Sequence, residues 1–229
     1  MLAISTIALL FILSGCRQSK SNIYIERGRY AEIDSMLRPI RNTDSLRAIY
    51  DQYKVLDDKM GQMLVLKQLG KCQREQNQFT EAIESHRLSY DIAVELCDTQ
   101  EIVYALNNIG TNYRRMSMLD KATQSHYKAL ACDTYSDTHS YASRKNRVIS
   151  LNGIGNIALS LGDYVTADSV FRQALKGEKQ LGSALGQAIN YANLGAIYEH
   201  YGLLDSAWAY YRLSMQKNIE ADSHLGISL

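Results

Sequence analysis

LNNIGTNYRRMSMLDKATQSHYKA, residues 106–129, carries the pattern that much of the chain repeats. Its glycine has three counterparts at near-constant spacing, and the four are Gly70, Gly110, Gly155 and Gly195. Successive glycines are 40, 45 and 40 residues apart. An alanine follows each glycine after twelve residues, and these are Ala82, Ala122, Ala167 and Ala207. Repeats of about this length are typical of stacked helical arrays.

The four glycines are expected to mark a close contact between helices. Inside a helix, glycine costs roughly 0.5–1 kcal/mol relative to alanine, so its return at one register position needs a geometric reason. Packed helices lie about 8–10 Å apart, and a glycine allows the lower end of that range. We therefore expect each glycine to face the alanine of the next helix, and we assign all eight residues to repeat packing.

The residues around each glycine predict a helix, a turn and a second helix. Leu106 and Ile109 show the three-residue spacing of a buried helical face. Seven residues after each glycine stands a residue suited to a turn: Asn77, Ser117, Gly162 or Gly202. Side-chain oxygens are predicted to cap the second helices at Thr80, Asp120 and Asp205. A large residue follows sixteen residues after each glycine on the buried side: His86, His126, Phe171 or Tyr211.

This pattern resembles the tetratricopeptide repeat, whose consensus has a large residue, Leu, Gly, Tyr, Ala, a large aromatic residue and Ala at fixed offsets. Tyr113 and Tyr198 occupy the tyrosine position, whereas Gln73 and Ala158 depart from it. The resemblance covers the chain from about Gly61 onward. It implies an all-α fold, a right-handed superhelical solenoid of antiparallel helix pairs with a period of 40–45. The usual period is about 34 residues, so this array is similar to kinesin light chain repeats and bacterial regulatory repeats.

Domain boundaries follow from the period. The four clear repeats are predicted at 63–227, divided as 63–102, 103–147, 148–187 and 188–227. Residues 23–62 are predicted to form a degenerate first repeat, because Tyr30 stands where glycine is expected and terminal repeats are commonly atypical. Residues 228–229 begin a truncated fifth repeat, so we expect the sequence to be part of a longer protein.

The first thirteen residues, MLAISTIALLFIL, are apolar and uncharged. They are too few to span a bilayer, which needs about 20, but have the length of a signal-peptide core. The following LSGC resembles the bacterial lipobox, which implies a signal peptide at 1–15, a diacylated Cys16 and a tether at 16–22. Two acyl chains anchor a protein stably. We therefore expect a bacterial cell-envelope protein that is lipid-anchored and faces the periplasm, with the choice of membrane open.

Composition narrows the class of function. A single proline and 46% hydrophobic residues suit an all-helical body. The 25 basic and 24 acidic residues nearly balance, which argues against direct nucleic-acid binding by this segment. The short basic cluster Arg144, Lys145 and Arg147 is predicted to be a solvated part of a loop.

No motif predicts catalysis, a metal or a cofactor. His86 and His126 share one repeat position and lack a carboxylate or cysteine at ligand spacing, so they are expected to be packing residues. NGIGN, residues 152–156, lacks the GxxxxGK[ST] pattern of a phosphate loop. The remaining cysteines show no disulfide framework and are expected to be buried free thiols: Cys72, Cys97 and Cys132. We predict that the protein is not an enzyme.

In the resembled family, the first helix of each repeat lines a concave groove. The second, fifth, ninth and twelfth residues of a repeat project into it, which implies a peptide-binding groove containing Lys67, Lys71, Arg74, Tyr104, Asn107, Thr111, Arg114, Asn152 and Asn156. Amides can bond a peptide backbone, and Lys and Arg can bind acidic groups. We expect a protein- or peptide-binding scaffold whose ligand has an acidic portion near the first two repeats.

One alternative function stays open. The chain would then be the sensory part of a longer signal-transduction protein, in which the array precedes a transmembrane helix and a histidine kinase or a helix-turn-helix regulator. If the chain instead stops at Leu229 as a short lipoprotein, its uncapped C-terminal end is expected to be covered by a partner or by self-association, because a helical array normally closes with a polar capping helix.

Overall fold

The computed structural model describes residues 20–133 and 140–222, and their side chains from Arg27 onward. Every regular element in these ranges is an α-helix, so the all-α prediction is confirmed for the described part of the chain. The helices are α1 Lys20–Leu37, α2 Thr43–Val55, α3 Lys59–Glu75, α4 Phe79–Glu95, α5 Thr99–Arg115, α6 Leu119–Asp133, α7 Tyr141–Ser160, α8 Tyr164–Leu181, α9 Ala184–His200 and α10 Leu204–Glu220.

The helices form two compact units, residues 1–118 with α1–α5 and residues 119–229 with α6–α10. In the first unit, α2, α3, α4 and α5 pack consecutively, and α1 packs on α3. In the second unit, each helix from α6 to α10 packs against the next one. The odd-numbered helices are the first helices of their pairs, and the even-numbered ones are the second.

Left-handed residues separate the helices within a pair. The predicted turn residues all have positive φ: Asn77 60°, Ser117 59°, Gly162 74° and Gly202 70°. This conformation ends a helix abruptly and is tolerated best by Gly, Asn and Asp. The turns between pairs use the same conformation at Asp57, Cys97 and Gly182, none of which was predicted as a turn residue, and Asp222 after α10 adopts it as well. These turn predictions are therefore confirmed.

Side-chain caps occur mainly at the first helices of the pairs. The caps of α3, α5, α7 and α9 accept hydrogen bonds from backbone N–H groups of the first turn, and they are Asp58, Asp98, Ser140 and Ser183. The second helices α4 and α10 begin after Gln78 and Leu203, which make no such bond. The prediction that Thr80, Asp120 and Asp205 cap second helices is wrong, because all three lie inside the first turn.

The repeat glycines accommodate an aromatic ring of the following helix. A Cβ atom on Gly70 would lie 2.7 Å from the ring of His86, and one on Gly155 would lie 2.6 Å from Phe171. Gly195 has the same relation to Tyr211, at 2.7 Å. The ring, rather than the expected alanine, therefore occupies the space above the glycine. The alanines are nevertheless fully or almost fully buried: Ala82, Ala122, Ala167 and Ala207.

The second repeat is arranged differently. His126 lies against Gly153, a glycine of α7 that precedes Gly155 by two residues. Gly110, the repeat glycine of α5, is itself buried. The packing role predicted for His86 and His126 agrees with their complete burial.

The basic cluster after α6 is helical. Arg144, Lys145 and Arg147 lie in the first two turns of α7, which Ser140 caps, so their assignment to a loop is wrong. The Arg147 guanidinium lies 3.6 Å from the buried carboxylate of Asp133.

The cysteines differ from one another. Cys72 and Cys132 are buried free thiols, as expected. Burial raises the pKa of the Cys132 thiol to about 11, so it stays protonated at neutral pH. Cys97 is only half-buried and is not one of the free thiols, so that part of the expectation is wrong.

The ring contact predicts an unusual response to Gly→Ala substitution. We expect Gly155→Ala to lower the free energy of unfolding by about 1–3 kcal/mol, because the added methyl group overpacks the site against Phe171. Gly28→Ala is the control, since nothing lies within 4 Å of its Cβ position, and it should stabilise α1 by up to about 1 kcal/mol. Urea denaturation measures both. Equal stabilisation by the two substitutions would show that the ring contact imposes no constraint.

Burial of His86 predicts sensitivity to acid. Burial, together with the charges of Arg74 and Lys67, lowers the pKa of His86 to about 3, whereas an unfolded histidine titrates near about 6.5. As the pH falls between these values, the unfolded state binds a proton that the folded state refuses, so the free energy of unfolding should decrease. His86→Phe, which copies Phe171 of the third repeat, should make this decrease shallower. An unchanged pH profile would contradict the assignment.

Candidate functional site

The predicted groove residues lie on first helices. Lys67, Lys71 and Arg74 are on α3, and Tyr104, Asn107, Thr111 and Arg114 are on α5 of the same unit. Asn152 and Asn156 are on α7 of the second unit. The positions therefore share one type of helix, but their side chains have different surroundings.

Lys67 belongs to an internal polar cluster of the first unit. Its Nζ donates to Tyr30 Oη at 2.6 Å and to Glu101 Oε1 at 2.8 Å. Tyr30 also donates to Glu101 Oε1, and Lys67 Nζ lies 4.4 Å from the centroid of the Tyr104 ring. The side chains of Lys67 and Glu101 are only 17% and 8% exposed. The acidic partner of Lys67 is therefore a residue of the same chain.

Lys67, Tyr30 and Tyr104 keep their protons at neutral pH, because the pKa of each is raised. Burial alone would lower the pKa of Lys67, but the Glu101 carboxylate and Tyr30 raise that pKa above its ordinary value. Burial and Glu101 raise the pKa of Tyr30. Burial also raises the pKa of Tyr104. The charged lysine and two neutral tyrosines thus surround one carboxylate and join α1, α3 and α5.

Two further predicted groove residues, Arg74 and Asn107, are either bonded or buried within the first unit. The Arg74 guanidinium donates to Asn108 Oδ1, and Asn108 Nδ2 donates to the Tyr104 carbonyl at 2.8 Å. Asn107 is 2% exposed. Asn107 is therefore inaccessible to a ligand, and Arg74 already has a partner within the chain.

Lys71 and Arg114 are different, because neither makes an ion pair or side-chain hydrogen bond with the described residues. Both are half-buried on neighbouring first helices, α3 and α5. Burial and the adjacent Arg115 lower the pKa of Arg114, which is the effect expected of a partly desolvated cation without a carboxylate. Thr111, also on α5, donates to the Asn107 carbonyl at 2.9 Å and keeps its acceptor capacity.

In the second unit, unpaired amide atoms lie on the first helices. Asn152 Oδ1 on α7 and Asn193 Nδ2 on α9 are buried and have no hydrogen-bond partner among the described residues. Both side chains are half-buried, as is Asn156. An unsatisfied buried polar atom costs about 1–3 kcal/mol and therefore needs an explanation. Asn193 was missed by the sequence analysis, although it precedes Gly195 by two residues as Asn108 precedes Gly110.

The described residues contain no group of three or more His, Cys, Asp or Glu side chains placed to hold a metal ion. Among the described helices, none combines the length and hydropathy that crossing a bilayer requires. The predicted signal peptide and Cys16 lie outside the described residues.

Sequence comparison finds one repeat and no curated relative. A family model described as "Tetratricopeptide repeat" matches residues 150–185, which cover the second half of α7, all of α8 and the start of α9. A search of curated proteins finds no match.

Solved structures share the fold at low sequence identity. BtubC (BKLC) from P. vanneervenii superposes with a TM-score of 0.63 at 16% identity, over 89% of this chain and 78% of that one. Kinesin light chain TPR-like repeats of Podosopora anserina give 0.61 at 12% identity, over 84% of this chain and 96% of theirs.

A Rap protein, solved in complex with competence and sporulation factor, is also similar. Its TM-score is 0.63 at 17% identity, over 94% of this chain and 59% of that one, so the chain spans little more than half of the Rap protein. Residues 150–185 therefore match a tetratricopeptide repeat, and the described part of the chain shares the helix-pair fold of these solved structures.

Proposed function

We propose that the chain is a non-enzymatic scaffold that binds a protein or an extended peptide on the first helices of its repeats. The observation that carries the proposal is the set of uncompensated polar groups on these helices: Lys71, Arg114, Asn152 and Asn193. Support also comes from the tetratricopeptide fold and from the similar Rap protein, whose structure contains a bound factor.

The first unit suits an acidic ligand. Lys71 and Arg114 are cations on α3 and α5 without an ion-pair partner among the described residues. A carboxylate would form charge-assisted hydrogen bonds with them, and these are stronger than bonds between neutral groups. Such a ligand would also offset the desolvation that lowers the pKa of Arg114.

The second unit suits a peptide backbone. An asparagine amide both donates and accepts, so Asn152, Asn156 and Asn193 can bond successive N–H and C=O groups of an extended segment. These residues contribute no charge, and they would hold a ligand largely independently of its side chains.

In the first unit, the internal polar cluster fixes the helices that carry Lys71 and Arg114 before a ligand binds. Lys67 and Glu101 join α3 to α5, and Tyr30 adds α1. Because these contacts exist without a ligand, the helices that carry Lys71 and Arg114 need little ordering on binding. Preorganisation of this kind increases affinity by reducing the entropy lost on association.

The proposal places the scaffold at a bacterial membrane, facing the periplasm. The sequence LSGC around Cys16 supports lipid attachment, and a lipid-anchored array would recruit its partner to the membrane surface. The proposal also includes self-association through the C-terminal end of the array.

A binding experiment tests the acidic-ligand surface. Peptides selected from a random phage-displayed library against the full chain should be enriched in Asp and Glu. Lys71→Glu with Arg114→Glu should weaken the selected peptides about tenfold or more, since each lost charged hydrogen bond contributes roughly 1.5–3 kcal/mol. Lys54→Glu with Lys128→Glu is the control, because both lysines are exposed and lie on the second helices α2 and α6. Equal losses in the two double variants, measured by fluorescence anisotropy, would refute the site.

Lipid attachment has its own test. A bacterial host expressing the chain and fed an alkyne fatty acid should label the wild-type protein, and Cys16→Ser should abolish the label and release the protein from the membrane fraction. Cys72→Ser should keep both properties, because Cys72 is a buried free thiol. Labelling that persists in Cys16→Ser would rule out attachment at this cysteine.

A further inference from the structure

An open cavity of about 500 Å³ lies along helix α8 of the second unit. The described residues that line it are Arg172, Leu175, Lys176, Lys179 and Gln180. Their spacing of i, i+3, i+4, i+7 and i+8 places them on one face of the helix. Among the described residues, this lining contains three cations and no carboxylate. The cavity is therefore electropositive.

The acidic residues of this part of α8 are engaged elsewhere. Asp168 accepts two hydrogen bonds from the Arg172 guanidinium, at 2.8 Å from Nε and 3.0 Å from Nη2. The Glu178 carboxyl group occupies the space beside Gly186 at the start of α9. Asp168 thus balances one of the three cations, and two positive charges face the cavity without a carboxylate.

Those two charges belong to Lys176 and Lys179. Neither lysine makes an ion pair or a side-chain hydrogen bond with the described residues, and both are exposed. Lys179 Nζ lies 5.7 Å from the centroid of the Tyr191 ring, within the range of a cation–π contact. Each ammonium group has three N–H donors, so both lysines can donate to a ligand.

Arg172 adds a fixed positive charge beside the lysines. Besides bonding Asp168, its guanidinium donates to Tyr210 Oη at 3.1 Å and to Tyr198 Oη at 2.8 Å. These bonds connect α8 to α9 and α10 and hold the guanidinium in one orientation. Because this charge is in place before a ligand binds, less entropy is lost on association.

We infer that this cavity binds the phosphate group of a small phosphorylated molecule. A phosphate monoester carries a charge of about −1.5 to −2 and has three strong acceptor oxygens. That charge matches the two uncompensated ammonium groups, and lysine is a common ligand of phosphate. The site is distinct from the proposed peptide surface and does not depend on it.

The dimensions of the cavity favour a small molecule over an extended acidic segment. The three cations lie within residues 172–179, which is about 10 Å along the helix. The volume of about 500 Å³ falls in the range of roughly 300–1,000 Å³ that is usual for small-molecule sites. The organic part of the ligand would contact Leu175 and the methylene groups of the lysines.

Calorimetric titration of the full chain with phenyl phosphate tests the site. One molecule should bind per chain, about tenfold more tightly than inorganic phosphate, because the phenyl ring buries apolar surface. Phenol should show no binding at the same concentrations. Lys176→Gln with Lys179→Gln should weaken phenyl phosphate about tenfold or more, since it removes charge-assisted hydrogen bonds.

A matched control separates the cavity from general surface charge. Lys121→Gln with Lys128→Gln removes the same charge from exposed lysines of α6, another second helix of the same unit. This variant should bind phenyl phosphate like the wild type. Circular dichroism should show that both variants fold.

Four results would overturn the inference. They are no binding of phenyl phosphate to the wild type, equal losses in the two lysine pairs, equal affinity for inorganic and phenyl phosphate, and binding to phosphatidic acid vesicles without binding to phenyl phosphate. Lys71→Glu with Arg114→Glu should leave phenyl phosphate binding unchanged. The cavity and the proposed peptide surface can therefore fail independently of each other.

Discussion

The contact between a helix glycine and the ring of the next helix is the constraint on which the repeats depend. Gly70, Gly155 and Gly195 each leave room for a ring that a methyl group would displace. The ring lies over bare backbone, so two helices approach closely and still bury a large side chain. That arrangement explains why glycine recurs in helix interiors despite its propensity cost. It also tolerates His86, Phe171 or Tyr211, because the space requires a ring of suitable size and not one particular chemistry.

Polar residues add specificity to the first unit. Burying an ion pair such as Lys67–Glu101 is weak evidence for stability, because desolvation offsets most of the attraction. Here the Tyr30 hydroxyl bonds both Lys67 Nζ and Glu101 Oε1, and the Tyr104 ring lies beside Lys67. The buried Glu101 Oε2 has no hydrogen-bond partner among the described residues. Tyr30 stands at the position where the other repeats have glycine, and it projects a hydroxyl to Lys67 instead of receiving a ring. Helix α1 thereby acquires a specific connection to α3 and α5.

Much of the fold was predictable because its determinants are local and periodic. The 40–45-residue period, the helix pairs and the left-handed turns at Asn77 and Gly162 all follow from spacing and residue type. The residues whose roles were predicted incorrectly are those whose outcome depends on which side chains meet across neighbouring helices. Lys67 was expected to face a ligand, but Glu101, 34 residues away, bonds it. Periodicity assigns residues to a helix face and does not specify their partners on the next helix. The same limit explains why a ring, not alanine, lies over Gly70, Gly155 and Gly195, and why Asn193 was overlooked.

Register also explains how one set of positions can be core in one repeat and surface in another. Leu175 on α8 and Met215 on α10 occupy equivalent positions, yet Leu175 is 8% exposed and Met215 is 50% exposed. In α8 the set includes Asp168 and Lys179, polar residues that sit at the margins of the α9 contact. In α10 the residues at the equivalent positions are all apolar: Leu204, Trp208, Met215 and Ile219. A face more apolar than its covered equivalent has little reason to be solvated, since exposed apolar area is disfavoured in proportion to its extent. Its composition is that of a face on which another helix packs.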